Sequence, residues 1–234
     1  MSSRTLYDLA GADAARRFSP FCWRTRLALA HKGLDHQTVP WHMSDKEAIA
    51  FSGQGKVPVL VDGDQVVSDS WKIALYLEAT YPDTPSLFGG EAGMPAVRFI
   101  NAWADSVLMA DVVKLVMVDI PGHMTEADAA YFRSTREARF GATLESVCAN
   151  RERDVEHLRQ TLLPVRLALR SAPFLGGDTP HYADYIVFSP LQWARCISDF
   201  PLLKADDPVA DWADRMLTAF DGLAAKAPGY KIAA

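Results

Sequence analysis

Ser19 stands one residue before Pro20, at the head of the run Phe21-Cys22-Trp23-Arg24-Thr25-Arg26-Leu27-Ala28-Leu29. Serine is a favoured N-cap and proline a favoured first helical residue, so the run reads as a helix that begins at Ser19. A helix N-terminus carries partial positive charge and unpaired N–H groups, and it stabilises an anion placed against it. Ser19 is therefore the candidate to hold a reacting anion through its hydroxyl. Cys22 offers a competing chemistry, because Ser19-Pro20-Phe21-Cys22 has CxxC spacing with the first cysteine replaced. Without a thiol at position 19 it cannot run an intramolecular dithiol cycle, and it reads as a packed, structural residue. Asp69-Ser70 is a second polar pair, and it caps the helix that follows.

These residues need elements to position them. Thr5–Leu9 alternates apolar residues and reads as a strand, and 10–17 as a loop leading to Ser19. The helix after Ser19 runs to about His31, ended by Lys32-Gly33. His36–Trp41 reads as a second strand and Asp45–Phe51 as a short helix. Two β-branched runs, Val57–Val61 and Val66-Val67, flank Asp62-Gly63-Asp64, a hairpin signal. Pro58 must lie at a strand start or edge. Ile73, Tyr76, Leu77 and Tyr81 share one face of the helix capped by Asp69-Ser70. The order β-α-β-(α)-β-β-α is a thioredoxin-like plan. Beyond Pro95 strand signals stop. Val97, Ile100, Ala104, Leu108, Val112 and Leu115 mark a long helix, and further helices start near Thr125, Thr143 and Pro180 and after Pro208. The expected fold class is α/β plus all-α: a βαβαββα unit over residues 1–84, a linker over about 82–92, and a helical unit over 93–234.

Composition narrows the function. Aspartate plus glutamate outnumber lysine plus arginine by 29 to 24, which argues against a nucleic-acid partner. The three cysteines, Cys22, Cys148 and Cys196, are far apart and form neither a disulfide framework nor a metal-ligand spacing. Residues 1–15 lack the apolar core of a signal peptide. The most apolar run, Val112–Ile120, contains Lys114 and Asp119 and is far shorter than the ~20 residues of a membrane span. These features point to a cytoplasmic protein with no membrane and no metal.

In this order and spacing, Ser19-Pro20, Val57-Pro58-Val59-Leu60, Asp69-Ser70-Trp71 and Pro180-His181-Tyr182-Ala183-Asp184-Tyr185 resemble the glutathione transferase superfamily over nearly the whole chain. Within it the chain looks most like the branch of bacterial lignin β-aryl-etherases and the fungal ether-related (FuA) class. The long loop before Ser19, Cys22-Trp23-Arg24-Thr25, Asp69-Ser70-Trp71 and Tyr131–Glu137 carry that narrower resemblance.

The resemblance implies glutathione as co-substrate, with Ser19 as catalytic residue and Ser19, Phe21, Lys56, Val57, Pro58, Asp69, Ser70 and His42 at its site. A free thiol of pKa ~8.5 is only about 3% ionised at pH 7, and lowering that pKa by about two units takes about 2.7 kcal/mol. One hydroxyl hydrogen bond with the helix N-terminal field can supply this. Val57-Pro58 would be cis, with the Val57 backbone pairing to the cysteinyl unit. Ser70 and backbone N–H groups would hold the γ-glutamyl carboxylate, and Asp69 its ammonium. Either Lys56 or His42 would take the glycyl carboxylate. Asp184 reads as a structural cap rather than a catalytic acid, with His181 where the family has Ser or Thr and Thr179-Pro180 as an alternative cap. Met109, Val113, Met117, Phe140 and Trp193 are candidates by position for a pocket taking a hydrophobic electrophile. The function implied is a glutathione-dependent transferase, acting by addition or by displacing a halide or aryloxide, with homodimerisation expected. The alternatives are a glutathione or hydrophobic-ligand binder without turnover, and an interaction module that reuses the fold.

Overall fold

The computed structural model describes residues 4–234; the first three residues of the expected 1–84 unit lie outside the described residues. Strand β1 (Arg4–Leu9) runs parallel to β2 (His36–Trp41) and antiparallel to β3 (Val59–Asp62), which pairs with β4 (Gln65–Ser68) to give the order β2-β1-β3-β4. The parallel pair requires a crossover, and helix α1 (Pro20–His31) provides it. The antiparallel pair needs only the two-residue turn Gly63-Asp64, with Gly63 at φ 59°. The ladder of β3 begins at Val59, two residues later than the apolar run suggests, because Pro58 has no N–H to donate. Val57-Pro58 is cis. Helix α2 (Ser70–Thr80) closes the unit with Ile73, Ala74 and Leu77 buried. The segment read as a short helix is a 3-10 turn over Glu47–Ser52. This thioredoxin-like unit followed by helices is the expected fold.

The helical part comprises α3 (Met94–Trp103), α4 (Met109–Val116), α5 (Glu126–Phe140), α6 (Leu144–Val147), α7 (Arg151–Thr161), α8 (Leu163–Ala168), α9 (Tyr182–Ile197) and α10 (Pro208–Gly222). The single long helix expected from Val97 to Leu115 is interrupted by a π-helical turn at Ala104–Leu108. The helix expected from Thr143 lasts four residues. Helices α7 and α8 were not anticipated, since α7 is heavily charged and buries only Val155 and Leu158. Every residue of α9 except Arg195 is buried, so α9 is the axis of the helical part.

Helix α1 is wedged between the sheet and α9. Its Arg24, 1% exposed, donates to Ser189 Oγ (3.0 Å), Asn101 Oδ1 (3.2 Å) and Asp105 Oδ1 (2.8 Å). Tyr182 on α9 donates to the Ser70 carbonyl at 2.8 Å. The loop before Ser19 is tied down as well. Ala12 N donates to the His123 carbonyl at 2.8 Å, and a Cβ on Gly11 would stand 2.5 Å from that same oxygen. A side chain there would push the loop off the helical part.

Candidate active site

Ser19 takes extended φ/ψ (−65°, 124°) while Pro20 starts α1. Its Oγ accepts the Cys22 backbone N–H at 3.3 Å, which uses an oxygen lone pair, and its hydroxyl also interacts with the Cys22 thiol. The residue is 5% exposed and borders a cavity of about 1520 Å³. The helix behind it is held rigidly, since Trp23 Nε1 donates to the Arg17 carbonyl at 2.9 Å and Arg24 is pinned on three sides. An anion at Ser19 would meet a fixed hydroxyl and a fixed helix N-terminus, so little reorganisation is needed to stabilise charge.

Cys22 is fully buried a turn inside α1. Burial, followed by the charge of Asp8, pushes its thiol well above the usual range. Asp8 is itself buried between Arg17 (3.7 Å) and Arg26 (3.5 Å). A thiol so placed stays protonated and inert.

The cavity brings together residues of both parts of the chain. Ser19, Phe21, Lys56 and Val57 line one side; Met109, Val113, Met117, Phe140 and Trp193 line the other. Pro58, Asp69, Ser70 and His42 lie outside its lining. Asp69 caps α2, its Oδ1 accepting from Trp71 N and Lys72 N at 3.0 Å each, with its backbone at φ 79°. A non-glycine residue in that region is strained, a feature concentrated at ligand-binding positions. His42 points to α5, its Nδ1 3.3 Å from Asp128 Oδ2, and Asp128 in turn accepts the Ser44 N–H at 2.7 Å. These contacts hold the segment after β2 against α5.

The sequence reasoning missed Lys46, Gln54, Tyr131, Arg136 and Arg139, all of which line the cavity. Lys46 Nζ donates to the Gly55 carbonyl at 3.0 Å and lies over the rings of Trp41 (4.8 Å) and Tyr131 (5.0 Å). Phe132, Arg136, Arg139 and Phe140 recur at helical spacing, a stripe that could have flagged one face of α5.

The description "Glutathione S-transferase, C-terminal domain" matches residues 97–220, more than half of the chain, and "Glutathione S-transferase, N-terminal domain" matches residues 18–80. The chain belongs to the glutathione S-transferase family. Within the family it stands with the FuA-like branch. The crystal structure of glutathione transferase GSTFuA3 from Phanerochaete chrysosporium is 27% identical, with a TM-score of 0.76 over 97% of this chain and 94% of that one. The glutathione S-transferase CsGST63524 of Ceriporiopsis subvermispora, solved in complex with glutathione, is 25% identical, with a TM-score of 0.73 over 96% of this chain and 94% of that one. Glutathione S-transferase Z2 of Arabidopsis thaliana is 36% identical over 94 residues, 38% of this chain and 40% of that protein. The match thus spans less than half the length of that curated relative.

In this transferase-family chain Asp184 is a structural anchor. It is fully buried, and its carboxylate accepts from Leu175 N (2.7 Å), Gly176 N (2.9 Å), His181 N (3.0 Å) and Trp212 Nε1 (2.9 Å). It therefore gathers the 175–176 turn, the start of α9 and α10, more than the single helix cap expected from the sequence.

Proposed function

We propose that the protein is a glutathione-dependent transferase in which Ser19 stabilises the reacting thiolate. The observation that carries the reading is the Ser19 hydroxyl at the N-terminus of a clamped helix and on the wall of a cavity shared by both parts of the chain. Glutathione would supply the nucleophile, its sulfur forming a bond to an electrophilic carbon as the leaving group departs with the electron pair. Ser19 and the α1 N-terminus hold the negative charge on that sulfur. The Val57 backbone, half-buried beside cis Pro58, receives the cysteinyl unit, and Asp69 with Ser70 at the start of α2 holds the γ-glutamyl end. Lys56 takes the glycyl carboxylate in preference to His42, because Lys56 borders the cavity and His42 faces Asp128. Met109, Val113, Met117, Phe140 and Trp193 form the acceptor wall.

The most specific version is a β-etherase, in which attack at the carbon bearing an aryl ether expels a phenolate. The enzyme is read as a cytoplasmic homodimer; Phe99, 73% exposed on α3, and Phe51, 52% exposed, are apolar surfaces that a second copy would cover. The test is a conjugation screen over aryl ethers, aryl halides and isothiocyanates with wild type and Ser19→Ala together. Conjugation of at least one class by wild type, strongly reduced in Ser19→Ala, is expected. Equal rates for the two proteins on every substrate would rule the mechanism out.

A further inference from the structure

The geometry points to an acceptor substrate that carries a negative charge, an aromatic carboxylate or similar oxyanion, held by Arg136 and Arg139 on the α5 wall of the cavity. This rests on the transferase reading above and deepens it by naming the substrate class.

Three arginines follow one another along α5, and their surroundings separate them. Arg133 faces away from the cavity and is satisfied, with Nη1 2.8 Å from Glu137 and Nη2 2.8 Å from Glu145. Arg136 and Arg139 line the cavity, and among the described residues neither has a carboxylate within 4.0 Å. Among the described residues the guanidinium of Arg136 donates to its neighbour Thr135 Oγ1, at 3.1 Å. The negative charges that share the cavity are already committed elsewhere. Asp105 takes Arg24 at 2.8 Å, Asp111 takes His157 at 3.1 Å and Thr161 Oγ1 at 2.6 Å, and Asp154 takes Arg153 at 2.9 Å. The α5 wall is thus left with two cations and no internal counter-charge. Burial, followed by the charge of Arg139, holds the Arg136 guanidinium below its ordinary range, yet an arginine so shifted remains protonated. An anion entering between the two relieves both costs.

The rings beside them set the kind of anion. The Arg136 guanidinium lies 5.0 Å from the Phe132 ring centre and that of Arg139 6.0 Å from Phe140. Guanidinium forks match a planar carboxylate, and flanking aromatic faces favour an arene to carry it. The rest of the acceptor wall, Met109, Val113 and Met117, is apolar and suits the electrophilic end. Glutathione's own glycyl carboxylate is the competing occupant, and its KM separates the two.

The experiment compares chlorodinitrobenzoate with its methyl ester, two acceptors with one electrophilic centre, each rate divided by the uncatalysed reaction with glutathione. In both, sulfur bonds to the ring carbon and chloride leaves with the electron pair. The expected result is a kcat/KM ratio favouring the acid by about tenfold or more in wild type. Arg136→Met with Arg139→Met brings that ratio toward one, and Arg136→Lys with Arg139→Lys keeps part of it. Binding of the two glutathione adducts, followed by tryptophan fluorescence, reads the same preference without turnover. A ratio near one in wild type overturns the inference, as does an acid preference that the methionine pair leaves unchanged. A rise in the KM for glutathione in place of a change in the ratio also overturns it. Loss of conjugation in Ser19→Ala is read separately, so failure of the transferase reading shows there and not in the ratio.

Discussion

Ser19 caps α1 and Cys22 lies three residues further along, and their environments differ sharply. Ser19 stands at the cavity wall, while Cys22 is buried and its thiol is pushed up by desolvation. We expect Ser19→Ala to lower kcat/KM at neutral pH by about 10²-fold, the scale of losing one preorganised donor to a developing or held anion. Cys22→Ala should keep kcat/KM within about threefold of wild type and cost on the order of 1 kcal/mol of stability, measurable by urea denaturation, because only a small buried thiol is removed. Both residues were legible in the sequence through local rules: an N-cap before proline, and a CxxC spacing missing its partner. Arg136, Arg139 and Lys46 were not. A charged residue on a surface helix reads as solvated until the fold turns that face toward a cavity, and nothing local says which face that is.

Helix α9 shows what was and was not legible at the scale of elements. Its start near Pro180 and the Asp184 cap followed from sequence, but the extent of Asp184's contacts did not. Four donors from three separate segments converge on it. Asp184→Ala would strand them in a buried site, so we expect a loss of about 3 kcal/mol or more, larger than a lost cap alone. Chemical denaturation measures it, and activity per folded molecule should stay near wild type. The π turn at Ala104–Leu108 was hidden for a different reason. Apolar spacing continues smoothly through it, while the turn lies where Asp105 reaches back to Arg24 on α1. That demand comes from a residue 81 positions away in sequence. Helices α7 and α8 went unread because α7 is heavily charged, α8 is only six residues long, and neither start has a side-chain cap bond.

Across the whole molecule, the two parts meet through buried polar groups whose protonation matters. His31 on α1 contacts the Tyr185 hydroxyl at 2.6 Å and the Ser86 carbonyl at 3.1 Å. Burial, followed by the charge of His181, lowers its pKa to about 4. The unfolded chain binds a proton there near pH 6.5, whereas the folded protein resists it, so stability is lost as pH falls from about 6.5 toward 4. The loss amounts to up to about 3 kcal/mol. Urea denaturation across that window should show a flatter pH slope for His31→Gln than for wild type, and parallel slopes would contradict the assignment. The overall architecture was legible because the β-α-β start, the hairpin and the later loss of strand signals are each local. The cavity between the parts was less so, since its walls are contributed by segments that meet only when α1 packs on α9.

The central claim is that Ser19 lowers the pKa of a bound glutathione thiol, and titrating the thiolate absorbance of the enzyme–glutathione complex measures it directly. Wild type should show a thiol pKa about two units below that of free glutathione, and Ser19→Ala a value close to the free one. Equal pKa values in the two proteins, with glutathione bound to both, would contradict the account.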